Sequence, residues 1–210
     1  MGLAFDGDAD RCLAVDETGA RVDGDRMLLA FARDLHAAGA TPKVLVATVM
    51  SNLGLEISLR ELGIEMRRAA VGDRFVLEEM LLCGSRLGGE QSGHIIFLDT
   101  GTTGDGVLTA TRLASAVRRA GRPLSEMARM PQVPQLLVNV KTPHKDRFDE
   151  DAEIVAAVAE VDEVLRGRGR LLVRPSGTEP MVRVMAEGPD EEELRRLVGH
   201  LARVIERRLG

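Results

Sequence analysis

Three aspartates alternate with small residues near the start of the chain, and an arginine closes the run. Asp6, Asp8 and Asp10 follow the apolar residues 2–5, and Arg11 comes directly after them. Carboxylates held this close repel one another unless a cation lies between them, and ligand sets made only of oxygen favour Mg²⁺ over zinc or copper. Arg11 offers a fork of donors to an oxyanion beside the metal. The run therefore predicts a Mg²⁺ site that handles a charged oxygen ligand.

Three other interpretations compete with this one. The run is also typical of a solvated acidic turn whose aspartates cap a hairpin or a helix. An EF-hand loop would find its last ligand at Glu17, but its sixth position requires glycine and holds Arg11, so calcium sensing is excluded. A phosphatase that phosphorylates its own aspartate also begins with Asp-x-Asp after an apolar strand. Asp6 as a nucleophile therefore stays open.

A second constellation is the segment RPSGTEP, which joins two predicted strands near the C-terminal end. The hydroxyls of Ser176 and Thr178 and the backbone N–H groups around Gly177 are donors that suit a phosphate dianion. Arg174 at the mouth and Arg183 on the outgoing strand can face the same anion. The alternative is a tight hairpin whose Ser and Thr bond their own backbone. The two arginines favour the phosphate site.

A third constellation, GGEQSGH, lies between a predicted helix and a predicted strand. Its glycines allow a ligand to approach the backbone closely, and Glu90, Ser92 and His94 carry acceptors and donors suited to sugar hydroxyls. His94 is also a candidate proton carrier. Upstream, Arg74 opens a helix and could hold an anion at its N-terminus. The structural alternatives are a common Gly-rich turn, a packed histidine and an Asp73 cap beside a solvated arginine.

Composition excludes several classes of function. The five Phe are the only aromatic residues, which argues against base stacking, and a net charge of −5 with interleaved signs attracts no polyanion. No apolar run approaches the ~18 residues of a membrane span, and no basic secretory leader is present, so a cytoplasmic location is expected. Cys12 and Cys83 form no Cys-x-x-Cys pair and are expected to be buried small side chains.

Hydrophobic periodicity predicts a layered α/β domain followed by a smaller α+β domain with helices on one face of an antiparallel sheet. Three prolines between residues 123 and 134 mark the linker. A helix over 26–38 is expected to be capped by Asp25. Because the chain enters a strand directly after Met1, we expect a fragment of a longer protein. The α/β domain is predicted to cover roughly residues 15–125, with the α+β domain after the linker.

Taken in order, five motifs resemble those of the α-D-phosphohexomutases. They are DGDADR at 6–11, VGDRFV at 71–76, GGEQSGH at 88–94, TTGDG at 102–106 and RPSGTEP at 174–180. The resemblance runs over essentially the whole chain. It implies three divisions: 1–14, the end of the family's second domain with the metal loop; 15–130, its third, sugar-binding α/β domain; and 131–210, its fourth, phosphate-binding α+β domain. Gln91 and the sequence PMVRVMAE resemble the branch that acts on glucosamine phosphates more than the phosphomannomutase or phosphoglucomutase branches.

The resemblance implies an enzyme that interconverts glucosamine 6-phosphate and glucosamine 1-phosphate through a phosphoserine and a bisphosphorylated sugar. It implies Mg²⁺ as the cofactor, which neutralises charge on the transferring group. The roles it implies are metal ligation by Asp6, Asp8 and Asp10; contact with the phosphoryl group by Arg11; proximity to the proton transfers for His94; sugar recognition by Glu90 and Ser92; and phosphate binding by Arg174, Ser176, Gly177, Thr178 and Arg183.

The chain departs from the family's pattern at one place. Family enzymes carry their phosphoserine in a Ser-His-Asn motif, whereas no Ser-His pair occurs here. Without a phosphoryl donor the chain alone is expected to show no turnover. The alternatives are a phosphomannomutase or phosphoglucomutase, and a sugar-phosphate binding module without chemistry. The expected partner is a hexosamine phosphate, with no nucleic acid and no membrane, and the free edge of the first strand leaves a homodimer open.

Overall fold

The computed structural model describes all 210 residues, which form two compact units, Met1–Pro131 and Gln132–Gly210. Each unit has its own hydrophobic core. The division follows Pro131, inside the stretch whose prolines indicate a linker. Residues 1–14 lie in the first unit. None of the helices combines the length and the apolar character needed to cross a bilayer.

A small antiparallel sheet opens the first unit. Its strands, in spatial order, are β1 (Gly2–Phe5), β2 (Cys12–Val15) and β3 (Arg21–Val22). Phe5 pairs with Cys12, so residues 6–11 form the loop of the β1–β2 hairpin. All four residues of β1 are exposed, whereas Cys12 and Ala14 of β2 are buried. The apolar character of residues 2–5 predicts a buried strand before the acidic run, and this prediction is wrong because β1 is exposed.

A second, four-stranded sheet builds the main core of this unit. Its strands, in the spatial order β5-β4-β6-β7, are β4 (Val44–Thr48), β5 (Glu65–Ala69), β6 (Leu87–Gly89) and β7 (Ile95–Phe97). The central strand β4 runs parallel to β5 and β6, and β7 runs antiparallel to β6. Both faces of β4 are buried: Leu45 joins the larger hydrophobic cluster, and Val46 joins a separate one with Val76 and Met80. Helices therefore cover the sheet on both sides, as the pattern of strands and helices predicts.

Five helices belong to the first unit: α1 (Gly24–Ala37), α2 (Leu53–Glu61), α3 (Asp73–Cys83), α4 (Gly106–Ala120) and α5 (Leu124–Met127). The cap of α1 is Asp23, whose Oδ1 accepts the N–H of Arg26 at 3.2 Å. The expected cap, Asp25, is wrong because its side chain is buried inside the first turn, where Oδ2 accepts the N–H of Asn52 at 2.9 Å. A local pattern could not show this partner, which lies 27 residues away.

The second unit is an antiparallel sheet with helices on one face. Its elements are β8 (Gln135–Lys141), α6 (Ala152–Leu165), β9 (Arg170–Pro175), β10 (Met181–Glu187) and α7 (Glu191–Leu209), with the strand order β8-β10-β9. Val138, Val184 and Val173 share one register row and contribute to the core with the helices. Because side chains alternate along a strand, the next row, Asn139, Arg183 and Arg174, lies on the opposite face. The predicted α/β and α+β architecture is confirmed.

Candidate functional site

An open cavity of about 470 Å³ lies in the first unit. Three predicted site residues line it: Arg11, Glu90 and Ser92. Its other lining residues are Leu13, Arg21, Asp23, Thr48, Met50, Val71 and Gln91. Guanidinium, carboxylate, hydroxyl and amide groups thus face the same space as a few apolar side chains. This mixture suits a polar ligand that carries both hydroxyl groups and negative charge.

Two backbone hydrogen bonds, each involving a glycine, hold the loop over residues 88–94 next to β2 and the start of α1. The N–H of Cys12 donates to the carbonyl of Gly93 at 3.1 Å, and the N–H of Gly24 donates to the carbonyl of Gln91 at 2.9 Å. Gly93 has φ +94°, and a Cβ there would lie 2.1 Å from the Cys12 carbonyl oxygen. A Cβ on Gly24 would lie 1.9 Å from the Glu90 carbonyl oxygen. Neither position therefore accepts a side chain without a backbone shift.

Glu90 connects this loop to the segment that begins α3. Its Oε1 accepts the N–H of Gly72 at 3.0 Å. Arg74, two residues further on, lies apart from the cavity: its side chain is 80% exposed and pairs with Glu78 at 2.8 Å. The structure therefore brings Glu90, Ser92 and Arg11 together but does not add Arg74 to them.

Asp25 is buried next to the same loop and joins three segments. Its Oδ2 accepts the N–H of Asn52 at 2.9 Å and the side-chain amide of Gln91 at 3.2 Å. Burial raises the pKa of Asp25 from 3.8 to about 6, because the hydrogen bonds to its charged form offset only part of the lost hydration. The residue thus links the start of α1, the connection after β4 and the side chain of Gln91.

The acidic run over residues 6–11 does not form a preassembled metal site. No group of three or more His, Cys, Asp or Glu side chains lies close enough together to hold a metal ion. Asp6 faces Arg11: one carboxylate oxygen accepts its N–H at 3.4 Å and the other lies 3.8 Å from its Nε. Asp8 is exposed, and one oxygen of Asp10 is buried without a hydrogen-bond partner. Asp6, Asp8 and Asp10 thus have three different environments, and the structure does not draw them into one cluster.

His94 lies beside this run but does not line the cavity. The ring is buried; its Nε2 accepts the N–H of Gly104 at 3.2 Å and lies 3.7 Å from a carboxylate oxygen of Asp10. The other ring nitrogen, Nδ1, is buried without a hydrogen-bond partner. The geometry therefore gives His94 contacts with neighbouring loops rather than access to the cavity.

The predicted cysteine environment is borne out for one of the two residues. Cys12 is fully buried, and burial raises the pKa of its thiol. Cys83 is only half-buried, at the end of α3. Both cysteines have free thiols and form no disulfide.

In the second unit, the segment between β9 and β10 is a hairpin with unused backbone donors at its tip. Ser176 is buried; its N–H donates to the carbonyl of Met181 at 2.8 Å, and its Oγ accepts the N–H of Glu179 at 3.3 Å. Gly177 and Thr178 are exposed, and their N–H groups make no hydrogen bond. The hydroxyl of Ser176 therefore closes the turn, while two adjacent amides stay free for a ligand.

Two arginines flank this tip on neighbouring strands. Arg183 pairs in register with Arg174 on one side and Asn139 on the other. One terminal nitrogen of Arg183 binds Glu179 at 2.9 Å, but its Nε is buried without a partner, and the guanidinium of Arg174 makes no hydrogen bond or ion pair. Like charges opposite each other are unfavourable, and an anion between them would relieve this. We call Arg174, Ser176, Gly177, Thr178 and Arg183 the anion cradle.

Sequence reasoning missed several residues at both places. In the cavity these are Arg21, Asp23, Thr48 and Met50, which lie on two short segments, 21–23 and 48–50, and carry no shared motif. At the cradle it missed Lys145, whose acceptors lie 31 to 34 residues away. The signal available for Asp23 was its place in the acidic pair before α1. No local signal marks Lys145.

The comparisons with known proteins agree with this architecture. A family model described as phosphoglucomutase/phosphomannomutase, alpha/beta/alpha domain III, matches residues 23–133, and the model of that family's C-terminal domain matches residues 137–204. The layered α/β unit and the small α+β unit thus correspond to two consecutive domains of one class of sugar-phosphate enzymes. The chain belongs to the phosphoglucomutase/phosphomannomutase family.

Among curated relatives, the phosphoglucosamine mutase of Pelotomaculum thermopropionicum is 53% identical over 207 residues, 98% of this chain and 46% of that protein. The phosphoglucosamine mutase of an Arthrobacter species is 54% identical over 212 residues, 100% of this chain and 47% of that protein. A solved family member from Burkholderia thailandensis is 27% identical, with a TM-score of 0.76, and covers 98% of this chain and 46% of its own.

Aspergillus fumigatus N-acetylphosphoglucosamine mutase, solved with GlcNAc-6P and magnesium, has a TM-score of 0.79 at 20% identity over 97% of this chain and 51% of its own. At that identity the likeness concerns the fold alone. The chain spans about half the length of the curated relatives it matches.

Proposed function

We propose that this chain supplies the sugar-binding and phosphate-binding half of a phosphoglucosamine mutase, which interconverts glucosamine 6-phosphate and glucosamine 1-phosphate. The observation that carries the proposal is the set of unused donors in the anion cradle: the amides of Gly177 and Thr178, the buried Nε of Arg183 and the unpaired guanidinium of Arg174. A phosphate dianion accepts several charge-assisted hydrogen bonds at once. The two relatives that are 53% and 54% identical to this chain are named phosphoglucosamine mutase.

The cavity of the first unit is the proposed sugar site. Glu90 and Ser92 line it and offer a carboxylate and a hydroxyl to the ring hydroxyls or the amino group. Arg11 is exposed and its ion pair with Asp6 is long, at 3.8 Å, so its guanidinium is available to a phosphoryl group. His94 contacts the loops around Gly104 and Asp10, and its role near the proton transfers stays a prediction. Substrate binding by Arg74, a cytoplasmic location and a homodimer stay predictions.

We also propose that Asp6, Asp8 and Asp10 bind Mg²⁺. The donor set is oxygen only, as this ion prefers, and the unpartnered buried oxygen of Asp10 is an acceptor that the fold leaves unused. Binding requires the carboxylates of Asp6, Asp8 and Asp10 to come together around the ion, and the ion favours this because its charge offsets their mutual repulsion. Magnesium bound there would neutralise charge on a transferring phosphoryl group.

Titration calorimetry with glucosamine 6-phosphate tests the phosphate assignment. Arg174→Ala removes a charge-assisted donor, so its affinity should fall roughly tenfold or more. Arg86→Ala is the matched control, because Arg86 is an exposed arginine without a side-chain partner, and it should leave the isotherm unchanged. An unchanged isotherm for Arg174→Ala would remove the cradle from the proposal.

The same titration with MgCl₂ alone tests the metal ligands without reference to activity. Wild-type protein should take up one ion, Asp8→Asn should weaken that binding severalfold, and the exposed Asp162→Asn should not change it. Equal Mg²⁺ affinity in all three proteins would contradict the assignment of the acidic run.

A further inference from the structure

We propose that Lys145 is a positioning residue of the anion cradle: by binding the carbonyl oxygens of the segment 176–179 from one side, it turns the amides of Gly177 and Thr178 toward the anion on the other. This inference rests on the proposed phosphate site and adds a residue to it that contacts no ligand itself.

The ammonium group of Lys145 uses its donors on the backbone of the cradle segment. Lys145 begins the short 3₁₀ turn Lys145–Arg147 that follows β8. Its Nζ donates to the carbonyl of Ser176 and, at 3.5 Å and 3.2 Å, to those of Gly177 and Glu179. An ammonium group has three N–H donors and no acceptor. With three carbonyls as partners, Lys145 has no donor left for a ligand.

The hydrogen bonds of Lys145 also set the direction of the Gly177 and Thr178 amides. In a trans peptide the C=O of one residue and the N–H of the next point in opposite directions, and the chain has no cis peptide bond. Because Lys145 holds the carbonyls of Ser176 and Gly177, the N–H groups of Gly177 and Thr178 must point away from it. These are the two amides of the tip that make no hydrogen bond. Consecutive free amides of this kind form an anion-binding concavity.

The positive charge of Lys145 also favours an anion in the cradle. Carbonyl oxygens carry partial negative charge, and three of them left unpaired near the cradle would oppose an incoming phosphate. The ammonium of Lys145 neutralises them and adds a full positive charge behind the two amides. Lys145 is half-buried, so this charge is screened less than one in open solvent.

Hydrogen bonds of Thr142 hold the segment that carries Lys145 in place. The N–H of Thr142 donates to the carbonyl of Pro180 at 2.9 Å, and the Oγ1 of Thr142 accepts the N–H of His144 at 3.0 Å. The same hydroxyl donates to the carbonyl of Leu209 at the end of α7. The connection after β8 is thus tied both to the end of the cradle segment and to the last helix.

Calorimetric titration with inorganic phosphate, at constant ionic strength, tests the proposal. Lys145→Met keeps the length of the side chain but removes its donors and charge, and its phosphate affinity should fall at least fivefold. Lys145→Gln, which keeps part of the donor set, should give an intermediate value. Lys43→Met removes the same charge from an exposed lysine without a side-chain partner in the other unit and should leave the affinity unchanged.

Amide NMR spectra provide a readout that a purely structural role would not move. In Lys145→Met the resonances of Gly177 and Thr178 should shift in the free protein and respond less to phosphate, while the resonances and the unfolding midpoint of the rest of the second unit stay at wild-type values. Wild-type affinity in Lys145→Met, or an equal loss in Lys43→Met, would overturn the role of Lys145 and leave the cradle in place. Absence of phosphate binding in the wild-type protein would overturn the cradle itself.

Discussion

At the residue scale, Asp25 is an acidic side chain whose burial has a measurable consequence. Burial raises its pKa from 3.8 to about 6 in the folded protein. Above pH 6 the carboxyl is ionised in both the folded and the unfolded state, and the folded state then bears the full cost of the buried charge, about 3 kcal/mol. Below pH 6 the folded state takes up a proton before the unfolded state does. Stability at this site therefore rises as the pH falls from 7 toward 4.

We predict that Asp25→Asn removes this pH dependence. Between pH 7 and pH 5, Asp25 should add about 1 kcal/mol to the free energy of unfolding of the wild-type protein, and the variant should lack that increment. Urea unfolding at both pH values measures it, and the difference between the two proteins isolates Asp25 from other titrating groups. Asp162→Asn, on an exposed aspartate of α6, is the control and should keep the wild-type slope. Parallel curves for the wild type and Asp25→Asn would contradict the prediction.

The fate of single residues was the hardest part to predict from the sequence. The residue types of the cradle and of the loop with Glu90 were visible, because hydroxyls, glycines and arginines cluster within a few positions. Asp25 looked like a helix cap, since caps are read from neighbours in the sequence, whereas Asn52 and Gln91 lie 27 and 66 residues away. Contacts over such distances come from the fold and leave no local pattern.

At the element scale, the loop over residues 88–94 depends on a close approach to β2. The carbonyl of Gly93 accepts the N–H of Cys12, and the residue has φ +94°, a conformation that costs a side chain about 1–2 kcal/mol. The space is also closed, because a Cβ would lie 2.1 Å from the carbonyl oxygen of Cys12. The position of the loop that carries Glu90 and Ser92 is therefore set by a backbone contact in which Gly93 is required.

We predict that Gly93→Ala lowers the free energy of unfolding by roughly 3 kcal/mol, the sum of backbone strain and overpacking. Its affinity for glucosamine 6-phosphate should fall as well, because Glu90 and Ser92 move with the loop. Gly101→Ala is the matched control: nothing lies within 4 Å of its Cβ position and its φ is not in the left-handed region, so it should change stability by less than about 0.5 kcal/mol. Chemical unfolding and calorimetry measure both effects. Equal stability of the two variants would show that β2 and the loop yield easily.

Strand and helix positions were predictable where periodicity is strong. Apolar periodicity in the sequence predicts helices over 191–209 and 106–119; α7 has the first pair of bounds, and α4 ends one residue after the second. The strand β6 was read as a loop, because two of its three residues are glycines. It exists because β4 and β7 pair with it, and because Gly88 packs where a Cβ would lie 2.6 Å from the sulfur of Met80. Pairing partners, rather than local propensity, decide such a short strand.

At the scale of the whole molecule, the sequence predicted two successive folding units and a change of architecture at the proline-rich stretch. Each unit buries its own core, and helices cover both faces of one sheet and one face of the other. The side-chain arrangement of the acidic run was not predictable to the same degree, because Asp6 and Asp8 are exposed and no core packing fixes their side chains.

The chain is predicted to have no mutase activity of its own. The 210-residue chain should bind glucosamine 6-phosphate but convert none of it to glucosamine 1-phosphate, even with Mg²⁺ and a bisphosphorylated hexosamine present. The proposed residues position the ligand and neutralise charge, yet a transfer through a covalent phosphoenzyme needs a donor residue, and the chain holds no Ser-His pair of the kind that carries it in the family. Phosphorus NMR of the reaction mixture measures the conversion, with the relative from Pelotomaculum thermopropionicum as the positive control. Turnover near the rate of that control would mean that the chain carries its own donor; acid-labile phosphate trapped on Asp6 would then identify that donor, and Asp6→Asn would abolish both the label and the turnover.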